Sequence, residues 1–224
     1  MNSTAKTKPA PPRGRLIAVE GLDGSGKTTL SHKLASGLGA AWTTTPGPEV
    51  RDGGLRELAD QCFTAPQARH LFYAAAVVQE SARVAALLAS GVDVVADRWW
   101  LTTWAYGQWS GTGLQLAEVE RLVLPADATV WVDLPEAERS RRLLARGMTD
   151  ADRATLRPGQ GARLRALFHQ GLRRPVAGRC LELQVMGLDP DGACSAALVR
   201  LAEVLGAPLA QGGGGRVSVQ RAGQ

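Results

Sequence analysis

The chain has 224 residues, 45% of them hydrophobic, enough for one globular domain with a sizeable core. Its formal net charge of +5 sits in the tails: Lys6, Lys8, Arg13, Arg15, Arg216 and Arg221 carry six positive charges and leave −1 for the rest. That balance excludes the basic face of a nucleic-acid-binding protein, no apolar run reaches the ~18 residues of a membrane span, and Cys62, Cys180 and Cys194 are too scattered for a disulfide framework or a zinc site.

The three cysteines suit a reducing cytosol, so a cytoplasmic protein is expected. His32, His70 and His169 make no spaced metal pattern, and the N-terminus lacks the apolar stretch of a secretory signal. Residues 1–14 are polar and Pro-rich, and 207–224 include four consecutive glycines. Both read as disordered tails around a folded body at 15–206.

Along that body, short apolar runs alternate with helical stretches. The strands are expected at Arg15–Glu20, Ala41–Thr45, Val92–Ala96, Thr129–Leu134 and Leu181–Val185. Helical patterns lie near 29–38, 53–62, 66–90, 115–123, 135–146, 161–174 and 192–205. Alternation of this kind builds parallel β-α-β units with helices on both faces of the sheet. Val92-Asp93-Val94-Val95-Ala96 is apolar almost throughout, as a strand covered on both faces must be. Ligands of such sheets bind at the carboxyl ends of the strands, which directs attention to Glu20, Thr43–Pro46, Asp97-Arg98 and Asp133.

The first strand runs into Gly21-Leu22-Asp23-Gly24-Ser25-Gly26-Lys27-Thr28-Thr29, a match to G-x-x-x-x-G-K-[ST] with a helix behind it. A glycine-rich turn opening a helix aims backbone N–H groups at phosphates. Lys27 is placed to reach the β- and γ-phosphates of ATP, and the Thr28 hydroxyl to ligate Mg²⁺. Asp97 at the end of the third strand is a second candidate metal residue, with Arg98 beside it to grip an acceptor phosphate. Residues 139–174 hold ten arginines against Asp150 and Asp152, either a solvated face or a cluster that closes over phosphates.

These segments together resemble the bacterial thymidylate kinases. Val19 to Thr29 resembles the family's opening, and Leu71-Phe72-Tyr73-Ala74-Ala75 its substrate-side helix. Asp97-Arg98-Trp99, Thr102-Thr103 and Ala105-Tyr106 resemble its D-R-[YFH], S-S/T and A-Y-Q motifs. Val130 to Pro135 resembles its L-D-x-P strand end, and Leu144-Ala145-Arg146-Gly147 its entry to the lid. The match runs in order from about Leu16 to Gly206.

The resemblance implies an α/β fold: a P-loop NTPase three-layer α/β/α sandwich with a five-stranded parallel sheet and a short arginine-rich lid at about 147–160. It implies a homodimer, for which Ala82–Leu88 offers an apolar face that core packing explains equally well. It also implies roles. Gly21, Asp23, Gly24, Ser25, Gly26, Lys27, Thr28 and Thr29 would form the ATP site. Asp23 would also meet the acceptor's 3′-hydroxyl, Phe72 would stack on its base, Thr103 would lie near the base edge, Tyr106 would favour deoxyribose, and Arg98 would contact the acceptor phosphate. Arg146 and Arg153 are candidates for the lid's catalytic arginine.

The acceptor half departs from the family pattern. T-R-E-P-G has become Thr43-Thr44-Thr45-Pro46-Gly47, the helix arginine four residues after Phe72 is Ala76, and A-Y-Q is Ala105-Tyr106-Gly107. Each charged hydrogen bond lost is worth about 1.5–3 kcal/mol. The resemblance implies ATP- and Mg²⁺-dependent phosphoryl transfer to dTMP or a related nucleoside monophosphate, and the losses could change that acceptor. The alternatives are a kinase retuned to another small-molecule acceptor, with Glu20 or Asp97 as base if that acceptor is a hydroxyl, and a non-catalytic ATP-binding switch. Arg51 or Arg69 could restore the lost grip.

Overall fold

The computed structural model describes residues 12–206, so both expected tails lie almost wholly outside the described residues. Five strands form one all-parallel sheet: β1 (Leu16–Gly21), β2 (Ala41–Thr44), β3 (Val94–Asp97), β4 (Ala128–Asp133) and β5 (Arg179–Gln184). Their order is β2-β3-β1-β4-β5, with Ile17 opposite both Val95 and Ala128. β1 is central, and all six of its residues are buried. Alternate side chains divide between two cores. Leu16 and Ala18 join the core built with α4 (Pro66–Ala89), α5 (Trp100–Trp109) and α9 (Gln160–Gly171). Ile17 and Val19 join the one built with α1 (Lys27–Leu38) and α10 (Pro190–Leu205). The three-layer α/β/α sandwich is thus as expected.

The remaining helices are shorter. α2 (Pro48–Asp52) and α3 (Leu55–Cys62) follow β2, and the pattern at 115–123 contracts to α6 (Ala117–Glu120). α7 (Glu136–Arg146) follows β4, and α8 (Asp150–Thr155) lies in the expected lid. Three helices, α2, α5 and α8, have no counterpart among the expected helical patterns. α5 shows no apolar periodicity because Trp100, Leu101, Thr103, Trp104, Ala105 and Gly107 are all buried, leaving no polar face to alternate with. α8 is too short for a periodic signal, but it opens on a capping box in which Thr149 and Asp152 exchange side-chain and backbone hydrogen bonds.

α4 has the length and composition of a membrane-crossing helix, although polar and charged residues such as Gln79, Glu80 and Arg83 interrupt its apolar residues. It is built instead into the protein: Ala74, Val77, Val84 and Leu88 enter the core, and Glu80 pairs with Arg83. The expected dimer face is split accordingly, with Val84 and Leu88 inward and Ala82, Ala85 and Ala86 exposed. Cys62 and Cys180 are exposed and Cys194 is buried, all as free thiols.

Candidate active site

The carboxyl ends of β1, β3 and β4 meet at one edge of the sheet, and the turn from β1 into α1 crosses that edge. Gly21, Gly24 and Gly26 all have positive φ there. At Gly24 (φ 85°) an added Cβ would lie 2.8 Å from Leu143 Cγ, so the turn needs glycine for both backbone and space. The Lys27 ammonium donates to Leu22 O (2.8 Å) and lies 3.8 Å from Asp23 Oδ1. Burial, followed by the charge of Arg98, pushes its pKa down to about 8, while Asp23, Asp97 and Glu20 pull it back up.

Thr28 and Asp97 come together as a metal site requires. The Thr28 hydroxyl donates to Asp97 Oδ2 (2.5 Å), and Asp97 Oδ1 is buried without a protein partner, as is Ser25 Oγ in the loop above. A carboxylate oxygen and a hydroxyl beside a phosphate cradle are the hard donors that Mg²⁺ selects. The residues present therefore fit the cation.

Arg98 has φ 72°, the one described non-glycine residue in the left-handed region, which costs of order 1–3 kcal/mol. Its N–H is held by Val19 O (3.0 Å), and its guanidinium pairs with the Asp23 carboxylate. The Tyr106 hydroxyl donates to the other oxygen of Asp23 (2.6 Å). Burial alone would raise the Asp23 pKa, but Arg98 and Lys27 overcome it and hold the carboxyl well below the usual range. The same carboxylate, with burial, pushes the Tyr106 phenol far up. Tyr106 remains a neutral donor.

Asp23, Arg98, Thr103 and Tyr106 line a cavity of about 820 Å³, a nucleotide-sized space. A smaller cavity of about 180 Å³ lies on the other side of the loop, against Ser25, Gly26, Thr29, Arg142 and Leu188. The phosphate-binding turn thus separates two recesses.

Several expected residues stand elsewhere. Phe72 is not on the cavity wall; it packs 5.9 Å from Phe63, and the rings facing the cavity from α4 are those of Tyr73 and His70. Arg146 donates to Asp152 (3.0 Å) and Arg153 to Asp150 (2.8 Å), so both candidate lid arginines are tied to the lid's own carboxylates. The cavity wall carries Asp150 and Ala151 from that segment instead. Glu20 is fully buried, accepting from the Trp99 N–H (2.8 Å) and the Thr102 hydroxyl (2.5 Å), and does not line the cavity. Burial raises its pKa to about 7 against those bonds. Thr44 and Ala76 are also buried away from the wall.

Two features had no clear sequence signal. Arg139, one of the ten arginines that read as a solvated or phosphate-facing cluster, is wholly buried between the P-loop and the lid. Its guanidinium donates to Asp23 O (3.4 Å) and Thr155 Oγ1 (3.2 Å). The second is a pairing of Gly107 with His70. A Cβ at Gly107 would fall 2.0 Å from the imidazole, so the glycine admits that ring to the cavity wall.

A phosphate-cradling loop on a parallel sheet, a Thr–Asp pair suited to Mg²⁺ and two flanking recesses define a P-loop phosphotransferase. Comparison with known proteins gives the family. The thymidylate kinase family model matches residues 19–160. The thymidylate kinase of Cereibacter sphaeroides (strain ATCC 17029 / ATH 2.4.9) is 36% identical over 180 residues, covering 72% of this chain and 79% of its own. That of Synechococcus sp. (strain WH7803) is 39% identical over 152 residues, 58% of this chain and 71% of its own. The solved thymidylate kinase of Candida albicans shares the fold with a TM-score of 0.66 at 23% identity, covering 85% of this chain and 92% of that one. The chain belongs to the thymidylate kinase family, a family of nucleoside monophosphate kinases.

Proposed function

We propose that the protein transfers the γ-phosphoryl group of ATP to a nucleoside monophosphate, dTMP in the first place. The carrying observation is the arrangement of two recesses about one P-loop, with Asp23, Arg98 and Tyr106 facing the larger. ATP lies with its phosphates in the turn and its adenosine toward the smaller recess beside Arg142. The acceptor occupies the larger one. An acceptor phosphate oxygen attacks the γ-phosphorus, the bond to the β–γ bridging oxygen breaks, and ADP leaves with that electron pair.

The attacking oxygen is already ionised, so no general base is required. This removes the need for Glu20, whose oxygens are engaged by Trp99 and Thr102. Lys27 and the loop N–H groups hold the donor's β- and γ-oxygens and offset charge in the transition state. Thr28 and Asp97 would hold Mg²⁺, which when bound neutralises charge across the donor phosphates. Tyr106, fixed by Asp23, crowds the 2′ side of the acceptor sugar. Arg98 positions the acceptor phosphate. Arg146 and Arg153 remain the lid's candidates for the catalytic arginine, reaching the phosphoryl group on exchanging their present carboxylates.

Release of ADP across dTMP, dUMP, UMP, CMP, AMP, thymidine and no acceptor tests the reading. Turnover on dTMP at roughly 1–100 s⁻¹ supports it, and activity confined to another acceptor replaces dTMP with that acceptor. Lys27→Ala with unchanged ATP affinity and turnover would sink the P-loop assignment. Arg146→Ala separates a kinase from an ATP-binding switch: a kinase loses turnover by orders of magnitude at preserved ATP affinity. We further propose a cytoplasmic homodimer through the exposed apolar residues of α4, Leu71, Ala75, Ala82 and Ala86. Light scattering reads its mass directly.

A further inference from the structure

Glu20 is buried at the start of the P-loop and has no part in the transfer, yet its carboxylate is fully engaged. Oε1 accepts from the Trp99 N–H (2.8 Å) and the Thr102 N–H (3.2 Å), and Oε2 accepts from the Thr102 hydroxyl (2.5 Å). Trp99 is the N-cap of α5, and Thr102 is the third residue of that helix. Their amides are the two donors that a capping box satisfies with two side chains of the helix itself, one on the N-cap and one three residues on. The Trp99 side chain makes no capping bond. A single carboxylate from β1, 79 residues away from Trp99 in the chain, does both jobs instead.

The turn that enters α5 is the strained part of the site. Arg98, with φ 72°, immediately precedes Trp99, and a non-glycine residue stays in that region only where its surroundings over-determine it. β1 supplies the restraint. The Val19 carbonyl accepts from the Arg98 N–H (3.0 Å), and the next residue, Glu20, accepts from the Trp99 N–H. Consecutive residues of the central strand thus hold consecutive amides of the Arg98 turn. Beyond it, α5 presents Thr103, Tyr106, Gly107 and Trp109 to the large cavity, so the seating of its first turn sets where that wall lies. Glu20 has no exposed surface and does not touch an acceptor itself.

We propose that Glu20 is a positioning residue: it caps α5 from β1 and thereby fixes the Arg98 turn and the wall of the acceptor cavity. Its effect on the acceptor rests on the reading of the large cavity as the acceptor site. The cap works by acceptor geometry. A glutamine oxygen offers the same acceptor to the two N–H groups, and its amide nitrogen donates to the Thr102 hydroxyl in place of the reverse bond.

The test joins amide hydrogen exchange, read on the full chain without ligands, to steady-state kinetics on the panel acceptor that turns over fastest. Glu20→Ala should speed exchange at Arg98 and Trp99 roughly tenfold or more relative to the amides of α10. It should also raise KM for the acceptor roughly tenfold or more and leave ATP affinity within about threefold. Glu20→Gln should restore both properties. Thr102→Val removes one hydroxyl donor at nearly constant shape and should shift exchange and acceptor KM the same way, by roughly 3- to 10-fold. It decides the matter if Glu20→Ala does not fold, since exchange without ligand excludes a direct contact between Thr102 and the acceptor. Equal losses in Glu20→Ala and Glu20→Gln would overturn the cap. Unchanged exchange at Arg98 and Trp99 would overturn it too, as would a fall in kcat alone, the mark of a smaller folded fraction. Absence of turnover on every panel member would remove the nucleotide reading, whereas exchange at Arg98 and Trp99 still decides the cap.

Discussion

Glu20→Gln should flatten the protein's stability between about pH 4.5 and 7. The Glu20 carboxyl is fully buried at the end of the central strand, and its pKa rises from an ordinary 4.5 to about 7, chiefly through loss of hydration. Between those values the folded chain keeps a proton that the unfolded chain releases, so stability falls as pH rises. At about 1.4 kcal/mol per pH unit, the gap amounts to about 3 kcal/mol, present below pH 4.5 and lost once pH exceeds 7. That is a large share of the 5–15 kcal/mol typical of a domain. Glutamine is neutral throughout and still accepts from the Trp99 and Thr102 N–H groups at the start of α5. Urea unfolding of both proteins at pH 4.5, 5.5, 6.5 and 8 provides the assay. The unaltered chain should lose about 3 kcal/mol relative to the variant across that series. Parallel curves would refute the argument, because they would mean that Glu20 is ionised throughout or hydrated.

Three further predictions concern the site. Gly107→Ala should cost about 1–3 kcal/mol in a thermal melt by driving a methyl group into His70, and adding His70→Ala should recover most of the loss. Asp97→Asn should raise the Mg²⁺ concentration needed for half-maximal turnover by roughly tenfold or more, leaving metal-free ATP binding intact. Arg139→Met replaces a buried cation whose hydrogen bonds are all long, so stability should hold within about 1 kcal/mol or improve while kcat falls about tenfold from loosening of the lid against Asp23. Equal stability and unaltered kcat would make Arg139 a space-filler.

The donor half of this site was legible because its chemistry is written in contiguous residues. Gly21 to Thr29 form one turn, and Asp97 follows an apolar strand, so strand and motif locate each other. The acceptor half draws on separate elements whose relative rotation the sequence does not encode. Phe72 and Tyr73 are neighbours, yet about 100° of helical turn puts only Tyr73 on the cavity wall. Arg69 was a candidate for the missing cation, and its place 3.6 Å from Asp60 Oδ1 arises only where α3 meets α4. Of the four tryptophans Trp99, Trp100, Trp104 and Trp109, clustered within eleven residues, only Trp109 lines the cavity. Arg139 gave no sign of burial among nine other arginines.

The central place of β1 has a consequence for synthesis. Its partners along Ile17 are Val95 and Ala128, so its two neighbours in the sheet are made far later than the strand itself. At roughly 5–20 residues per second, a ribosome takes on the order of 5–20 s to supply the second of them. Until β3 follows, Leu16-Ile17-Ala18-Val19 has no partner on either edge, and until β4 follows it has none on one. A segment that ends buried on both faces begins as an exposed apolar one, and the nascent chain must shield it until β4 has left the exit tunnel.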